Sequence, residues 1–282
     1  MTLSLKRNKP QNRERGSQRE TNNFARIVKE YFDQKDVQII LDIGSRYGNE
    51  SITLKRAFPN SRVYAFECNP DAIRVWRNNI RQEDIHLVEK AVSDVDGIVE
   101  FYPINPEKTI TPHKDGNIGA SSLFRANPAY PYEKYSQDCI TVESTTIIKW
   151  AMDNNIQHID LVWLDVQGAE LKVLTGMRNL LECVKLIHTE VCFKPVYIGQ
   201  PLFKDIDAFL RSKNFLLVGF ENISGWFGDA NYINNKYLST GQKWTLRIER
   251  LRLLFSFKYY KKRLKHLFGT CLASYYLLFL RI

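Results

Sequence analysis

Four acidic residues of this 282-residue chain close short apolar runs, and each is a group that can bind, orient or take a proton. Asp42 is followed by Ile43, Gly44, Ser45, Arg46, Tyr47 and Gly48; Glu67 follows Tyr64, Ala65 and Phe66; Asp165 follows Val162, Trp163 and Leu164; Glu190 follows Ile187, His188 and Thr189. In open α/β sheets ligands bind beyond the carboxyl ends of the strands, so acids there carry functional weight. Gly44 and Gly48 let the backbone approach a ligand and lead into a helix, expected to be capped by Asn49, whose first N–H groups lack partners. A glycine loop alone serves equally as an ordinary strand-to-helix turn. Glu67, however, stands twenty-three residues after Gly44, about where an acid meets a nucleoside ribose and accepts from its hydroxyls. Arg46 occupies the second-glycine place of G-x-G-x-x-G, which argues against a dinucleotide, and no G-K-[ST] follows to make a phosphate loop.

The elements that must hold these groups read as an α/β domain on a mainly parallel sheet. Strands are expected at 38–43, 62–67, 85–91, 159–165 and 185–191, several of them apolar on successive residues as strands covered on both faces should be. Helices are expected at 21–32, 48–58, 71–81, 145–153, 168–181 and 202–213, with Asn69, Pro70 and Asp71 starting the third. Between Asp94 and Asp138 lie an extra strand (98–102) and a loop rich in Pro, Tyr, Asn and Gly, a length more often functional than accidental. After the last helix, two β-like stretches around Asn222–Gly225 predict a closing hairpin and one antiparallel strand in the sheet.

Composition supports a folded globular body: 44% of residues are apolar and 25% charged. The net charge of +9 belongs to the ends. Residues 1–20 hold six Lys/Arg and two Glu, residues 242–282 hold ten Lys/Arg and one Glu, and the body between them is mildly acidic. The basic pI therefore does not make the body a nucleic-acid binder, and no specific nucleic-acid partner is expected. The five cysteines, Cys68, Cys139, Cys183, Cys192 and Cys271, are widely spaced with no C-x-x-C pair, which argues against a zinc knuckle or a disulfide scaffold. Residues 1–20 lack the apolar run of a secretory signal. The longest uncharged apolar run, Leu267 to Leu280, is fourteen residues, short of the ~17–25 that span a bilayer. A cytoplasmic location is expected.

The ordered motifs LDIGSRYGNES (41–51), YAFECNP (64–70), VEKAVSDVDGIVEFY (88–102), GASS (119–122), LVWLDVQGAELKVLTGM (161–177), IHTEV (187–191) and FGDANYINNKY (227–237) resemble the FkbM family of methyltransferases. The resemblance spans about residues 36–238. It implies a Rossmann-like class I methyltransferase fold, a mainly parallel seven-stranded sheet with a C-terminal antiparallel hairpin strand, S-adenosylmethionine as cofactor, and O-methylation of a sugar, glycan or other small-molecule hydroxyl. On this reading Asp42, Gly44, Ser45, Gly48, Glu67 and Asn69 face the methyl donor.

A sulfonium methyl is already activated, so the protein must align donor and acceptor, exclude water and help a weakly nucleophilic hydroxyl lose its proton. Asp165 is the first candidate for that task, with Glu190 and Glu170 behind it. Asp165 serves equally well as a helix-capping residue, and Glu170 as an acid favoured at a helix start. His188, alternating on a buried-type strand, reads as a core histidine. Ser121, Ser122, Tyr130 and Tyr132 are candidates for the acceptor side, although tyrosines also pack loops onto bodies. The family's usual string D-x-E-G-x-E is here Asp165-Val166-Gln167-Gly168-Ala169-Glu170, and because Gln167 can be neither a base nor an anionic ligand, no metal is assigned. The alternatives are a catalytically inactive binding module, kept open by Gln167, and an RNA or N-methyltransferase, disfavoured because D-V-Q-G stands where an aromatic N-methylation clamp would be.

Three regions result: a basic disordered tail (1–20), the methyltransferase domain (21–238) and a basic amphipathic extension (239–282). In residues 245–268, Leu246, Leu253, Phe257, Tyr260, Leu264 and Phe268 share one arc of a helical wheel, with Arg247, Lys258, Lys262 and Lys265 largely opposite. Such a stripe fits peripheral contact with an anionic membrane, or docking on the protein's own body or on a second subunit.

Overall fold

A computed structural model describes residues 10–80 and 84–246 of the chain. Among the described residues, six helices before Leu238 and two sheets carry the fold. The main sheet contains β1 (Ile39–Ile43), β2 (Arg62–Phe66), β3 (Ile85–Val88), β7 (Leu161–Leu164), β8 (Leu186–Cys192), β9 (Phe215–Glu221) and β10 (Phe227–Asn234). Their order is β3-β2-β1-β7-β8-β10-β9; the first five strands run parallel, and β10 is antiparallel to both neighbours. The chain works outward from β1 to β3 and then returns to β7 on the other side of β1. The order thus reverses between β1 and β7, which is where α/β sheets open a ligand crevice.

Both faces of the central strands are covered, which is why β1 and β7 are buried at every position. Helices α1 (Pro10–Tyr31), α2 (Asn49–Ala57) and α3 (Pro70–Asn79) cover one face, burying Phe24, Leu54 and Trp76 against Ile40, Leu161 and Trp163. Helices α4 (Ile147–Asp153), α5 (Glu170–Gly176) and α6 (Phe203–Ser212) cover the other with Ile147, Val173 and Phe203. Local chemistry sets the starts. Asn69 Oδ1 accepts from the Asp71 N–H at 3.1 Å with Pro70 at the first helical position of α3, and Thr146 Oγ1 accepts from the Lys149 N–H at 3.2 Å at the start of α4.

The α/β class, the strand and helix alternation and the closing hairpin are as expected. Several bounds differ. The leading helix begins at Pro10 rather than at residue 21, so the second half of the expected disordered tail is helical; residues 1–9 lie outside the described residues. The cap of α2 is Gly48, in the left-handed region at φ +78°, and not Asn49. The run expected as one strand at 85–91 divides into β3 and β4 (Ala91–Val92). β4 belongs with β5 (Gly97–Phe101) and β6 (Ile140–Thr145) to a small separate sheet. The helix expected through residue 181 turns into a 3₁₀ stretch from Arg178 to Cys183. Glu190 lies inside β8 rather than at its end, because pairing with β10 continues to Cys192.

After Leu238, residues 240–246 are helical, and Leu246 is buried in the core that holds Phe24 and Leu238. Gln242 Nε2 donates to the Tyr31 carbonyl at 3.0 Å. The remainder of the amphipathic stripe, from Arg247 on, lies outside the described residues. Among the described residues no helix is long and apolar enough to cross a membrane.

Candidate active site

Register alone ranks the polar residues of the carboxyl rim. Asp42, Trp163, His188 and Asn231 are consecutive partners across β1, β7, β8 and β10. Side chains repeat on one face every second residue, so Asp165 and Glu190 stand one step further out on that face. Asp229 is paired with Glu190 on one side and with Glu221 on the other. A row of acids therefore crosses four neighbouring strands at the rim, above a row containing an aromatic stack. The His188 ring lies 3.7 Å from that of Trp163 and nearly parallel to it.

Helix α1 lies over this face. Phe24 meets Trp163 and His188 edge-on at 5.6 and 5.9 Å, and Asn23 Nδ2 donates to Glu221 Oε2 at 2.9 Å. Asn231 links the rows: its amide nitrogen donates to Glu221 Oε1 at 3.1 Å while its oxygen lies 3.0 Å from His188 Nδ1. Burial lowers the pKa of His188, so the ring is neutral at pH 7, in keeping with a core histidine. Burial, with the charges of Asp229 and Asp165 nearby, pushes Glu20 up to about 7, and burial likewise pushes Asp229 up to about 7.

The glycine loop packs against the start of this row. The N–H groups of Gly44 and Ser45 both donate to the Phe66 carbonyl at 3.0 Å, drawing the loop across the end of β2. A Cβ on Gly44, at φ +88°, would stand 1.8 Å from the Asp165 carbonyl oxygen, and one on Gly48 would stand 2.0 Å from Ile80 Cδ1 and 2.5 Å from Trp76 Nε1. Glycine is required at both places by conformation and by space. Glu67 accepts the N–H groups of Arg46 at 2.8 Å, Cys68 at 2.8 Å and Asn69 at 2.7 Å. Three of its roughly four acceptor positions are thus taken by backbone, leaving about one for a ligand. Asn69, besides capping α3, donates from Nδ2 to Ser121 Oγ at 3.1 Å.

Four buried polar atoms around this loop have no hydrogen-bond partner among the described residues: Asp42 Oδ1, Ser45 Oγ, Arg46 Nε and Trp76 Nε1. The other Asp42 oxygen accepts from Ser51 Oγ, and burial holds this carboxyl well above its ordinary pKa. Buried polar groups are normally satisfied, so such a group marks the place of a ligand or water.

Beyond β7 the chain turns sharply through Gln167 at φ +52° and Gly168 at φ +102°. Glu170 braces the turn: its Oε1 accepts the N–H groups of Val166 and Gly168 at 3.1 Å each, and burial raises its pKa to about 7. That carboxylate is engaged by the backbone and sits under the turn. Gln167 points its amide nitrogen at Asp165 Oδ1, 2.6 Å away, and at Glu190 Oε2, 3.0 Å away. Its amide oxygen lies 2.9 Å from the Tyr197 hydroxyl, and its backbone carbonyl accepts from Ser122 Oγ at 2.7 Å. One carboxylate oxygen from each of Asp165, Glu170 and Glu190 lies within 4.8 Å of the others.

The acceptor-side candidates are divided. Ser121 and Ser122 staple the loop: Ser121 Oγ donates to the Ile118 carbonyl at 2.6 Å and accepts from Ile104 at 3.0 Å, while Ser122 Oγ also accepts from Phe124 at 2.9 Å. Tyr130 is buried, with its ring 5.3 Å from Trp226 and 5.8 Å from Tyr135. Tyr132 is 65% exposed and meets Trp226 at 6.2 Å. Trp226, Tyr197, Asp229 and Glu20 were not singled out from sequence. The FGDANYINNKY motif contained Asp229, and only strand pairing shows that it faces Glu190.

Residues 42–217 match the methyltransferase FkbM domain family. The chain is 31% identical over 210 residues to the 2-O-methyltransferase NoeI of Sinorhizobium fredii, covering 72% of this chain and 82% of that protein. It is 24% identical over 168 residues to the hexuronic acid methyltransferase AglP of Haloferax volcanii, covering 59% of this chain and 60% of that protein. Among solved structures, M. capricolum TrmK in complex with S-adenosyl-homocysteine aligns over 92% of this chain and 91% of its own, with a TM-score of 0.41 and 12% identity. A precorrin-6y C5,15-methyltransferase from Geobacter metallireducens aligns over 77% and 86%, with a TM-score of 0.41 and 13% identity. The matched span starts at the buried acid of β1 and ends in β9, taking in the glycine loop, the crevice and the turn after β7. With its seven-stranded sheet and this rim, the chain belongs to the S-adenosylmethionine-dependent methyltransferases of the FkbM domain family.

Proposed function

We propose that this protein transfers a methyl group to a hydroxyl of a sugar, glycan or similar small-molecule acceptor, with the donor held at the glycine loop and the acceptor at the row of acids. The observation that carries this reading is the contact between the two halves of the site. Gly44 passes so close to Asp165 that one extra carbon would collide with its carbonyl oxygen. A methyl group presented at the edge of the loop would therefore lie beside the end of β7. The names of the two relatives, a 2-O-methyltransferase and a hexuronic acid methyltransferase, support an oxygen acceptor on a sugar.

On the donor side, Asp42 Oδ1, Ser45 Oγ and Trp76 Nε1 supply partners for polar groups, and Glu67 accepts from one ribose hydroxyl with its remaining position. Gly48 lets the start of α2 pack against Trp76 and Ile80, and Asn69 holds the far wall through Ser121. S-adenosylmethionine, when bound there, supplies a methyl group on a positively charged sulfur. On the acceptor side, Asp165 accepts the hydroxyl O–H and orients an oxygen lone pair toward the donor. Transfer would form the C–O bond as the S–CH3 bond breaks and leaves a neutral thioether; the methylated hydroxyl would be strongly acidic, so an ordinary carboxylate suffices to hold its proton. Glu190 orients a neighbouring hydroxyl, Glu170 braces the turn, and Tyr132 with Trp226 gives aromatic surface for a ring.

The test combines calorimetry for the donor with labelled-methyl transfer to fractionated glycans. Asp42→Ala is expected to weaken donor binding by roughly tenfold to a hundredfold, the worth of one or two buried polar contacts. Asp165→Asn is expected to retain donor affinity and lose about 10²–10⁴ in rate. Wild-type protein that binds donor but transfers no methyl to any fraction would mark a binding module instead, and unchanged affinity in Asp42→Ala would place the donor elsewhere.

A further inference from the structure

Gln167 uses every hydrogen-bonding group it has, apart from its backbone N–H, on the acceptor side of the site. Its amide nitrogen carries two hydrogens and faces two carboxylate oxygens, at 2.6 and 3.0 Å. The orientation of the amide follows from the partners. Ionised carboxylates only accept, so the opposite orientation would set the amide oxygen against two anions. Tyr197 on the other side is kept protonated by burial, and its hydroxyl proton serves either Gln167 Oε1 at 2.9 Å or the Ala120 carbonyl at 2.8 Å. The left-handed backbone at Gln167 is an uncommon conformation for a residue with a side chain, and Ser122 fixes it through the carbonyl.

We propose that Gln167 is a positioning residue that takes the place of a cation between Asp165 and Glu190, holding two adjacent carboxylates charged and aligned for the acceptor without a bound metal. The inference rests on the role assigned above to Asp165. One oxygen from each of these two carboxyl groups lies within 4.8 Å of the other, and at that distance a second negative charge is costly beside the first. Asp165 is also faced by Glu170 from α5, Glu20 from α1, Asp42 from β1 and Asp229 from β10, and by the neutral His188 of β8. One N–H directed at each carboxylate stabilises both charges at once, as a small cation would, while adding no net charge. The same bonds fix the rotamers of two side chains from different strands, which is the alignment that methyl transfer needs.

The experiment measures Mn²⁺ binding and proton uptake by the full chain. Wild-type protein is expected to bind no Mn²⁺ at this site. Gln167→Glu adds a third ligand oxygen where the amide was and is expected to bind Mn²⁺ at least roughly tenfold more tightly, since affinity follows ligand charge. Addition of Asp165→Asn should abolish that gain. Mn²⁺ binding by wild type that Asp165→Asn removes would overturn the proposal, as would a Gln167→Glu protein with normal donor affinity and no gain in Mn²⁺ affinity. Should Gln167→Glu not fold, Gln167→Met takes its place. Without the two N–H donors the pair of charges loses its stabilisation, and potentiometric titration near neutrality should find more bound protons than in wild type, up to about one. An identical titration curve overturns the proposal. Turnover by wild type is read separately: its absence overturns the assigned reaction, whereas Gln167 stands or falls on the ion and proton counts.

Discussion

Asp42 is the residue at which stability and function pull in opposite directions. It is wholly buried, keeps one oxygen bonded to Ser51 and has no partner for the other among the described residues. An unsatisfied buried oxygen costs about 1–3 kcal/mol, which a bound ligand can recover. Asp42→Asn is therefore expected to leave the ligand-free protein as stable as wild type or up to about 2 kcal/mol more stable by urea unfolding. The stabilisation gained on adding the donor should shrink in the same variant; a donor-induced shift equal to that of wild type would show that this oxygen meets no ligand. Asp42, Gly44 and Glu67 were legible in the sequence because their spacing lies within one strand–loop–helix–strand unit. The partners of Gln167 were not: Tyr197, Ser122 and Glu190 come from three other segments, and no local pattern announces that they meet.

At the scale of elements, the same distinction between local and distant pairing explains what could be read. The strands β1, β2, β7 and β8 are short apolar runs, and the apolar side chains of Phe66 and Leu164 place Glu67 and Asp165 just beyond them. β6 was missed because its first four residues alternate between exposed and half-buried positions and it pairs only within the small sheet. The N-terminal half of α1 was missed because its residues are polar all round, which in sequence reads as tail. Yet α1 is the element that covers the rim, and it is pinned there by Phe24 against Trp163 and His188. Phe24→Ala is expected to cost about 3–5 kcal/mol in urea unfolding. It should also speed amide exchange along α1 more than along α4 or α5, because the deleted ring joins α1 to the sheet; uniform acceleration across all helices would refute the local anchoring.

The molecule as a whole gathers raised carboxyl pKa values on one rim, and this gives its stability a definite dependence on pH. Glu170 and Asp229 are each pushed up to about 7 and Asp42 well above its usual range, all chiefly by burial. A carboxyl whose pKa is higher folded than unfolded binds more protons in the native state. Its stabilising share is complete below the unfolded value, near 4.5 for Glu and 3.8 for Asp, and for Glu170 and Asp229 is lost as pH rises through about 7. His188 acts with the opposite sign. Its folded pKa is depressed by burial, so its share is complete above the unfolded value near 6.5 and is lost as pH falls below it. Between pH 6 and pH 8 the return of the His188 share offsets part of the carboxyl loss, and the carboxyls set the net sign, a decline. Between pH 6 and pH 8 the loss from Glu170 and Asp229 is on the order of 1–2 kcal/mol once the partial exposure of Asp229 is allowed for. Net of the His188 share, that corresponds to a Tm lower by roughly 1–4 °C at pH 8 for a body of this size. Calorimetric melting at constant ionic strength checks the sign, and Glu170→Gln should flatten the decline by removing one of the groups that cause it. A Tm that rises between pH 6 and pH 8 by more than the His188 share accounts for would mean that Glu170 and Asp229 are ionised in the folded protein at neutral pH.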